Sequence, residues 1–571
     1  MGRIPLLLEI FVNGFFVLIY TLQKSARFPD LLQQLPMEML MEYALWVVPL
    51  ILFITLATNF LKSKGFEDFF RSHVFSLIIF VPIVVTWGDL EFVYWLSAVH
   101  LFSSFISFYE RNEASPSSVA ANTSSFLFRL KMAPAQVVLL SFAGVIFLGS
   151  LILMLPIASS TGKSLLFIDA LFMSTSATCV TGLGTVSVSE NLSTFGQMVI
   201  LLLAQIGGLG IMTLSSSMAL IMGKNLQMRE RVIMQDVLDT SSSQELLELI
   251  VDIIRFTFVI EFVGAMILTF SFYQQGFEIG QALYFGFFHA IMAFCNAGFS
   301  LFNNSLEDFS FVPLINISIA ALLILGGIGI TVLKDVLNTI KSKRSFNSLS
   351  VHTKIVLSVN TLFLAFGTVY LFFGEFLNAF QDMTMWERLQ VSFFQSAATR
   401  TAGFATIDLN SFHPHTIYMM ILLMFIGASP GSTGGGVKIT TFAVLLQSVK
   451  ATLQGKSSVE FFERRVPAAT VVKSIAIFII SLIIVSLGLL IIMRLEPDKN
   501  FLALLFEVTS AFSTTGLSLG VTPFMTETGK LLLCIVMFVG RVGGLTIVIA
   551  VGSRAAMPRK VKYPEGKILI G

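Results

Sequence analysis

Four short stretches carry the chemistry open to this sequence. Thr178-Cys179-Val180-Thr181-Gly182-Leu183, Asn296-Ala297-Gly298-Phe299, Thr399-Arg400-Thr401-Ala402-Gly403-Phe404 and Ser513-Thr514-Thr515-Gly516-Leu517 each close a short apolar segment with small or polar residues and a glycine. None pairs a nucleophile with a base or forms a nucleotide loop. What they offer is backbone, as rows of carbonyl oxygens that replace the water around a cation. Glycine suits positions 182, 298, 403 and 516 because aiming carbonyls at an axis asks for backbone angles or close approaches that a Cβ resists. For one stretch alone, close helix packing explains the glycine as well. Four stretches in register, each after a polar break, point instead to one ring around one axis.

The segments that must position these stretches, 167–177, 283–293, 389–398 and 503–512, are shorter than the about 20 residues needed to cross a bilayer. Each lies between two long apolar segments: 133–157 and 196–222, 249–273 and 311–333, 350–373 and 415–449, 468–493 and 531–552. Non-helical backbone at membrane depth is tolerated where it lines water or is buried in protein. A short helix entering from outside would aim its C-terminal end, with about half a negative charge, at the axis and favour a cation there.

Composition agrees with a membrane setting. The 571 residues are 55% hydrophobic, include 57 Phe and are only 12% charged, with a mean hydropathy of +0.85. No soluble domain needs that much apolar surface. The net charge of +2 says little about partners. Cys179, Cys295 and Cys534 each lie inside an apolar segment, without metal-ligand or disulfide spacing. Four further spans are expected near 4–21, 43–61, 73–88 and 92–109, the first read as a retained anchor rather than a cleaved signal.

Basic residues orient the spans. Lys224, Arg229 and Arg231, then Lys334, Lys341, Lys343 and Arg344, then Lys450, Lys456, Arg464, Arg465 and Lys473 fall in the connections between units. The opposite loops carry more acids, among them Glu190, Glu278, Glu307, Asp308, Asp382, Glu387, Asp408 and Asp498. The connections and tail are therefore expected in the cytoplasm, with the glycine-ended segments open to the outside; Lys24 and Arg27 run against this parity. The expected organisation is 1–110 as extra N-terminal helices, 111–132 as a cytoplasmic linker, pore repeats at 133–223, 224–334, 335–449 and 450–557, and a cytoplasmic tail at 558–571. The fold class is an all-α polytopic membrane protein with four membrane-pore-membrane repeats around a central pore.

A second glycine set lies in the second long segment of each unit: Gly207, Gly208 and Gly210; Gly326, Gly327 and Gly329; 431–436; and Gly540, Gly543 and Gly544. The first two groups read as tight helix contacts. The third differs, because 415–449 as one helix would run roughly 50 Å against a hydrocarbon core of about 30 Å. It breaks most easily at Ala428-Ser429-Pro430-Gly431-Ser432-Thr433-Gly434-Gly435-Gly436, which is either a gate below the ring or a packed kink. Arg541, eleven residues after Lys530 and thirteen before Arg554, sits too deep to face lipid. It reads as a carbonyl-bonded strut or as an electrostatic barrier in the cation path. Lys438, at the end of the glycine loop, reads either as part of the gate or as a side chain reaching the cytoplasmic surface. Arg400 is expected behind its strand, holding the loop against carbonyls or an acid.

With these residues together, the chain resembles the TrkH/KtrB/HKT superfamily of potassium transport proteins over about residues 130–557. The resemblance implies a potassium filter formed by Thr178, Cys179, Val180, Thr181 and Gly182, by Asn296, Ala297 and Gly298, by Thr401, Ala402 and Gly403, and by Thr514, Thr515 and Gly516. It implies a gate containing Ser429, Gly431, Ser432, Gly434, Gly435, Gly436, Lys438 and Arg541. All four filter glycines are present, whereas sodium-selective plant relatives resemble this pattern with serine in the first; Cys179 is an unusual filter neighbour. The family also implies a homodimer, a cytosolic ring of TrkA/KtrA-like nucleotide-binding regulatory subunits and a bacterial cytoplasmic membrane. Potassium would be cargo, with no organic cofactor in this chain, no catalytic residue, no nucleic-acid partner and the lipid bilayer as surroundings.

Two function classes follow. Channel-like potassium uptake predicts passive flux through one gated pore. A sodium- or proton-coupled symporter predicts alternating access and an intramembrane acid. Glu261 is such an acid, though Arg255 shares its span and the other units have no counterpart. Coupling and a structural polar contact both suit it.

Overall fold

The computed structural model describes residues 134–210, 243–343 and 345–543. The expected first four spans, the linker, the basic residues Lys224, Arg229, Arg231 and Arg344, the ends of segments 196–222 and 531–552, and the tail lie outside the described residues.

The described chain is helical, and its elements recur as a long helix, a short helix and a further helix, the last interrupted in the second and third units. The first unit has α1 (Pro134–Leu153), α2 (Phe167–Thr178) and α3 (Thr194–Leu209). The second has α4 (Ser243–Gln274), α5 (Ile279–Phe294), α6 (Pro313–Ile328) and α7 (Ile330–Lys341). The third has α8 (Val351–Gly374), α9 (Met385–Ala398), α10 (Pro414–Phe425) and α11 (Ile439–Leu453). The fourth has α12 (Ala468–Leu495), α13 (Phe501–Ser513) and α14 (Glu527–Val542).

Local chemistry starts these helices. Pro313 and Pro414 occupy first-turn positions that need no N–H partner. Ser350 and Thr526 cap α8 and α14 by accepting from Thr353 N at 3.2 Å and Gly529 N at 3.2 Å. A capping box joins Thr384 to Glu387 at the start of α9.

Val251–Gln274, Val351–Gly374 and Ala468–Leu495 are long and apolar enough to cross a membrane, and α6 with α7, bent by 101°, reach that length and apolarity together as a broken span or a re-entrant loop. Large side chains such as Phe258, Phe262, Phe373 and Leu490 are exposed on the long helices. That suits hydrocarbon, where an apolar surface meets an apolar solvent. Inward, Leu371, Phe380, Val391, Phe412, Met420 and Phe506 form one core cluster beneath α8, α9, α10 and α13.

The described residues form two compact units: one comprises Ile146–Ser174 and Val186–Ile200, the other 134–145, Thr175–Thr185 and the described residues from Leu201 onward. All four glycine-ended stretches belong to the second.

Two features depart from the sequence reading. Segment 311–333 is not one straight span: Gly329 takes φ 93 and ends α6, and a Cβ there would lie 2.8 Å from Pro430 O. Gly210 and Gly543, at the same offset in their units, have φ 78 and 91, so these glycines turn the chain as well as permit close packing. The all-α description also gains a minute hairpin, β1 (Glu460–Phe461) with β2 (Arg464–Arg465), antiparallel around Phe462 and Glu463. Both turn residues have positive φ, the backbone twist a two-residue hairpin loop prefers.

Candidate ion-conduction site

The four glycine-ended stretches share one backbone conformation. Two residues before each glycine stands a non-glycine residue in the left-handed region: Val180, Asn296, Thr401 and Thr514, with φ 57, 59, 71 and 52. The glycines follow at φ 96, 69, 74 and 88 for 182, 298, 403 and 516. Such angles are costly for the β-branched Val180, Thr401 and Thr514, less so for Asn296, and their fourfold recurrence marks a structure that holds them in place. The glycines were legible in the sequence. The strained partners were not, because Val and Thr carry no signal for positive φ.

Pore-helix ends absorb the N–H groups. Thr181 N donates to Ser176 O at 2.8 Å, Ala297 N to Met292 O at 2.8 Å, Ala402 N to Ala398 O at 3.1 Å and Thr515 N to Ser510 O at 2.9 Å. Gly182 N and Gly516 N donate to the hydroxyls of Ser176 and Ser510, each at 3.0 Å. Among the described residues, the carbonyls of Thr181, Ala297, Ala402 and Thr515 accept no backbone hydrogen bond. They keep the oxygen lone pairs that a bare cation requires.

Packing around the glycines gives the order of the ring. A Cβ on Gly182 would lie 2.5 Å from Ala297 O, one on Gly298 2.9 Å from Ala402 O and one on Gly403 2.7 Å from Thr515 O; one on Gly516 would run into Thr181 O. Each stretch therefore abuts the next, and the fourth returns to the first.

Behind the ring, Gly207, Gly326 and Gly540 face carbonyls in the last turns of three pore helices, Thr178 O, Phe294 O and Phe512 O, and a Cβ on any of them would overlap that oxygen. In the third unit the corresponding glycine, Gly427, is pressed against Gly435 O instead. There the chain leaves α10 and forms the glycine loop before α11.

That loop lies against residues of the glycine-ended stretches and of the short helices before them. Gly435 N donates to Thr514 Oγ1 at 2.9 Å, Thr433 Oγ1 donates to Phe294 O at 3.3 Å, and Gly434 packs on Thr401 Oγ1. Ser429 N donates to Gly327 O at 3.1 Å, and Ser432 Oγ to Ser429 O at 2.6 Å. Gly431 and Gly436 turn the loop with φ 68 and 71. Arg541 donates to Thr433 O in the loop and to Gly207 O of the first unit. The guanidinium is thus a carbonyl-bonded strut. Lys438 folds back on the loop through Nζ to Gly434 O.

The other singled-out side chains lie beside the ring. The Asn296 amide nitrogen reaches Leu323 O at 3.2 Å and Ala293 O at 3.0 Å, which leaves the amide oxygen to accept from the Thr401 hydroxyl 3.3 Å away. Arg400 donates to Gly427 O at 3.5 Å and stands 5.5 Å from the Phe363 ring. It meets a carbonyl and an aromatic face rather than an acid. Glu261 accepts from Gln205 Nε2 at 3.3 Å, and Cys295 Sγ lies 3.8 Å from its other oxygen; Arg255 is not among these partners. Cys179, Cys295 and Cys534 are free and buried. Among the described residues no group of three or more His, Cys, Asp or Glu could hold a metal.

The sequence and the fold have known counterparts. Residues 116–559 match the family of cation transport proteins named TrkH. The chain belongs to the TrkH family. The chain is 39% identical over 444 residues to the Ktr system potassium uptake protein B of Bacillus subtilis, covering 77% of this chain and 98% of that protein. It is 38% identical over 439 residues to the protein of the same name from Vibrio alginolyticus, covering 76% and 94%. With the potassium/sodium uptake protein NtpJ of Enterococcus hirae it shares 36% identity over 450 residues, covering 78% and 98%. The crystal structure of the potassium transporter TrkH from Vibrio parahaemolyticus superposes with a TM-score of 0.59 at 16% identity, covering 88% of this chain and 97% of that one. The TrkH fold is thus established for an all-α chain with several membrane-spanning helices. The apolar helices and this kinship support a multi-pass location in a bacterial inner membrane.

Proposed function

We propose that this TrkH-family chain is the pore of a potassium uptake system, in which the ion sheds water and passes a ring built from all four glycine-ended stretches. The observation that carries this reading is the cyclic contact of Gly182, Gly298, Gly403 and Gly516 with the carbonyl oxygens of Ala297, Ala402, Thr515 and Thr181. Among the described residues those carbonyls accept no backbone hydrogen bond, and the names of the relatives from Bacillus subtilis and Vibrio alginolyticus supply potassium as the ion. Pore-helix C-termini add partial negative charge behind the ring. The loop 428–436 acts as the gate. It lies under the filter, and Arg541 tethers it to the first unit, so that opening requires the strut to release one of its carbonyls. Arg541 also places positive charge beside a low-dielectric cation path, which raises the barrier while the loop is in place.

The partner reading rests on the family resemblance: a homodimer, with TrkA/KtrA-like nucleotide-binding subunits acting on the gate from the cytoplasm. The coupled-symporter reading would need Glu261 to face the ion, whereas its bonds run to Gln205 and Cys295. The deciding experiment is potassium and sodium flux through the purified chain in liposomes, with voltage set by a potassium-independent gradient. Passive, voltage-driven potassium flux that needs neither sodium nor a proton gradient is expected. Strict dependence on either gradient would transfer the conclusion to the symporter.

A further inference from the structure

At two corners of the fourfold ring a buried titratable side chain stands on the short helix and reaches the residues that follow the glycine. Glu507 on α13 and His289 on α5 are both fully buried, and each stands nine residues before its filter glycine. The first and third units have Met173 and Phe394 at that position. Contact order around the ring puts the second and fourth units on opposite sides.

Each side chain holds the third residue after its own glycine, and Glu507 also holds the second. Glu507 Oε1 accepts from Ser518 Oγ at 2.6 Å and from Leu519 N at 3.1 Å, and Oε2 accepts from Thr522 Oγ1 at 2.7 Å. His289 Nδ1 lies 2.8 Å from Phe285 O, and since a carbonyl only accepts, Nδ1 carries the proton. Nε2 is then the acceptor for Leu301 N at 3.4 Å, with Ser300 Oγ 3.1 Å away. Ser300 and Ser518 are the second residues after their glycines, and Leu301 and Leu519 the third. Phe302 stacks on the imidazole at 5.1 Å and 14°, which fixes the ring plane. Ser300 Oγ donates to Ser305 O at 3.0 Å, and Ser305 Oγ accepts from Ala405 N at 3.1 Å, so the second unit's brace extends to the third. Gly184 and Ala405, the matching second residues of the other two stretches, have no side-chain hydroxyl to be gripped.

We propose that Glu507 and His289 are positioning residues that set the outer end of the filter from opposite corners and thereby its discrimination between potassium and sodium. A carbonyl ring selects between cations through the number and spacing of its oxygens. The proposal rests on the reading of the four stretches as a filter.

The test is the potassium-to-sodium permeability ratio in proteoliposomes, normalised to folded protein. Glu507→Ala removes the grip and is expected to lower the ratio about tenfold, the weight of one charge-assisted hydrogen bond. Glu507→Gln keeps an oxygen for Ser518 and Leu519 and is expected to restore most of it, and His289→Leu to shift it in the same direction as Glu507→Ala. Should Glu507→Ala not fold, Ser518→Ala removes a single bond and is expected to give a smaller drop. A residue needed only for stability would lower the yield of folded protein and leave the ratio alone. A ratio unchanged in Glu507→Ala, or in Ser518→Ala where the former does not fold, and in His289→Leu overturns the proposal. Gly182→Ser, Gly403→Ser and Gly516→Ala, measured alongside, separate the two levels: if any of them shifts the ratio or abolishes flux while the brace variants do not, the filter stands and the braces fall, and if none does, both fall.

Discussion

Gly516 and Thr181 close the ring: they are 335 residues apart in the chain, yet the glycine has room only for hydrogen where it meets the threonine carbonyl. Replacing Gly516 with alanine adds a methyl group into that oxygen and also strains a φ of 88. The expected outcome is loss of potassium flux or a lower potassium-to-sodium ratio, read in liposomes at equal folded protein. Gly182→Ser and Gly403→Ser should act in the same direction, since Ala297 O and Thr515 O stand at 2.5 and 2.7 Å from the added Cβ. Normal flux and an unchanged ratio in all three variants would mean that these carbonyls do not contact the ion.

The strut from Arg541 to Thr433 O and Gly207 O makes the proposed gate testable in parts. Deleting 431–436 should raise basal potassium flux and weaken regulation. Arg541→Ala should raise it too, by freeing the loop and removing positive charge from the path. Arg541→Lys should rescue only part of the closed state, because one ammonium lacks the planar fork that spans two carbonyls. If the deletion conducts no more than the parent at equal folded protein, the loop is a packed kink.

Gly540 illustrates packing without chemistry, because a Cβ there would overlap Phe512 O at the end of α13. Gly540→Ala should destabilise the fold by about 1–3 kcal/mol through overpacking. Gly144 on α1 has open space around its missing Cβ, so Gly144→Ala should be neutral or stabilising by up to about 1 kcal/mol. Thermal unfolding of the two variants in one detergent compares them directly, and an equal response would deny the tight contact.

The capping box of α9 predicts a pH effect. Hydrogen bonds from Thr384, its backbone N–H first, hold the Glu387 carboxyl below the ordinary glutamate range. A depressed carboxylate stabilises the fold in full above its unfolded value, about 4.3, and the contribution is lost as pH falls through the lower folded value. Protection of the first α9 amides against hydrogen exchange should therefore persist at pH 5 and fall in stronger acid. Thr384→Ala should reduce it at every pH by about 1 kcal/mol, and an unaltered profile in that variant would show that the cap carries no weight.

Four half-length apolar segments ending in glycine, between long apolar segments, were enough to read from the sequence a membrane protein of repeated units with glycines at 182, 298, 403 and 516. Those signals are local: apolar length, a polar break and the absence of a Cβ. The break near 428–436 followed from length alone, since one helix would overrun the bilayer. The order of the ring, the positive φ of Val180, Asn296, Thr401 and Thr514, the bend at Gly329 and the two carbonyls that receive Arg541 were decided by the tertiary structure. Each depends on which distant backbone lies alongside. A Val or Thr is forced into the left-handed region only when its amides are drawn to a pore-helix end and its neighbours exclude other conformations. Likewise, an arginine in a span becomes a strut rather than a free charge only when folding brings Thr433 O and Gly207 O within its reach.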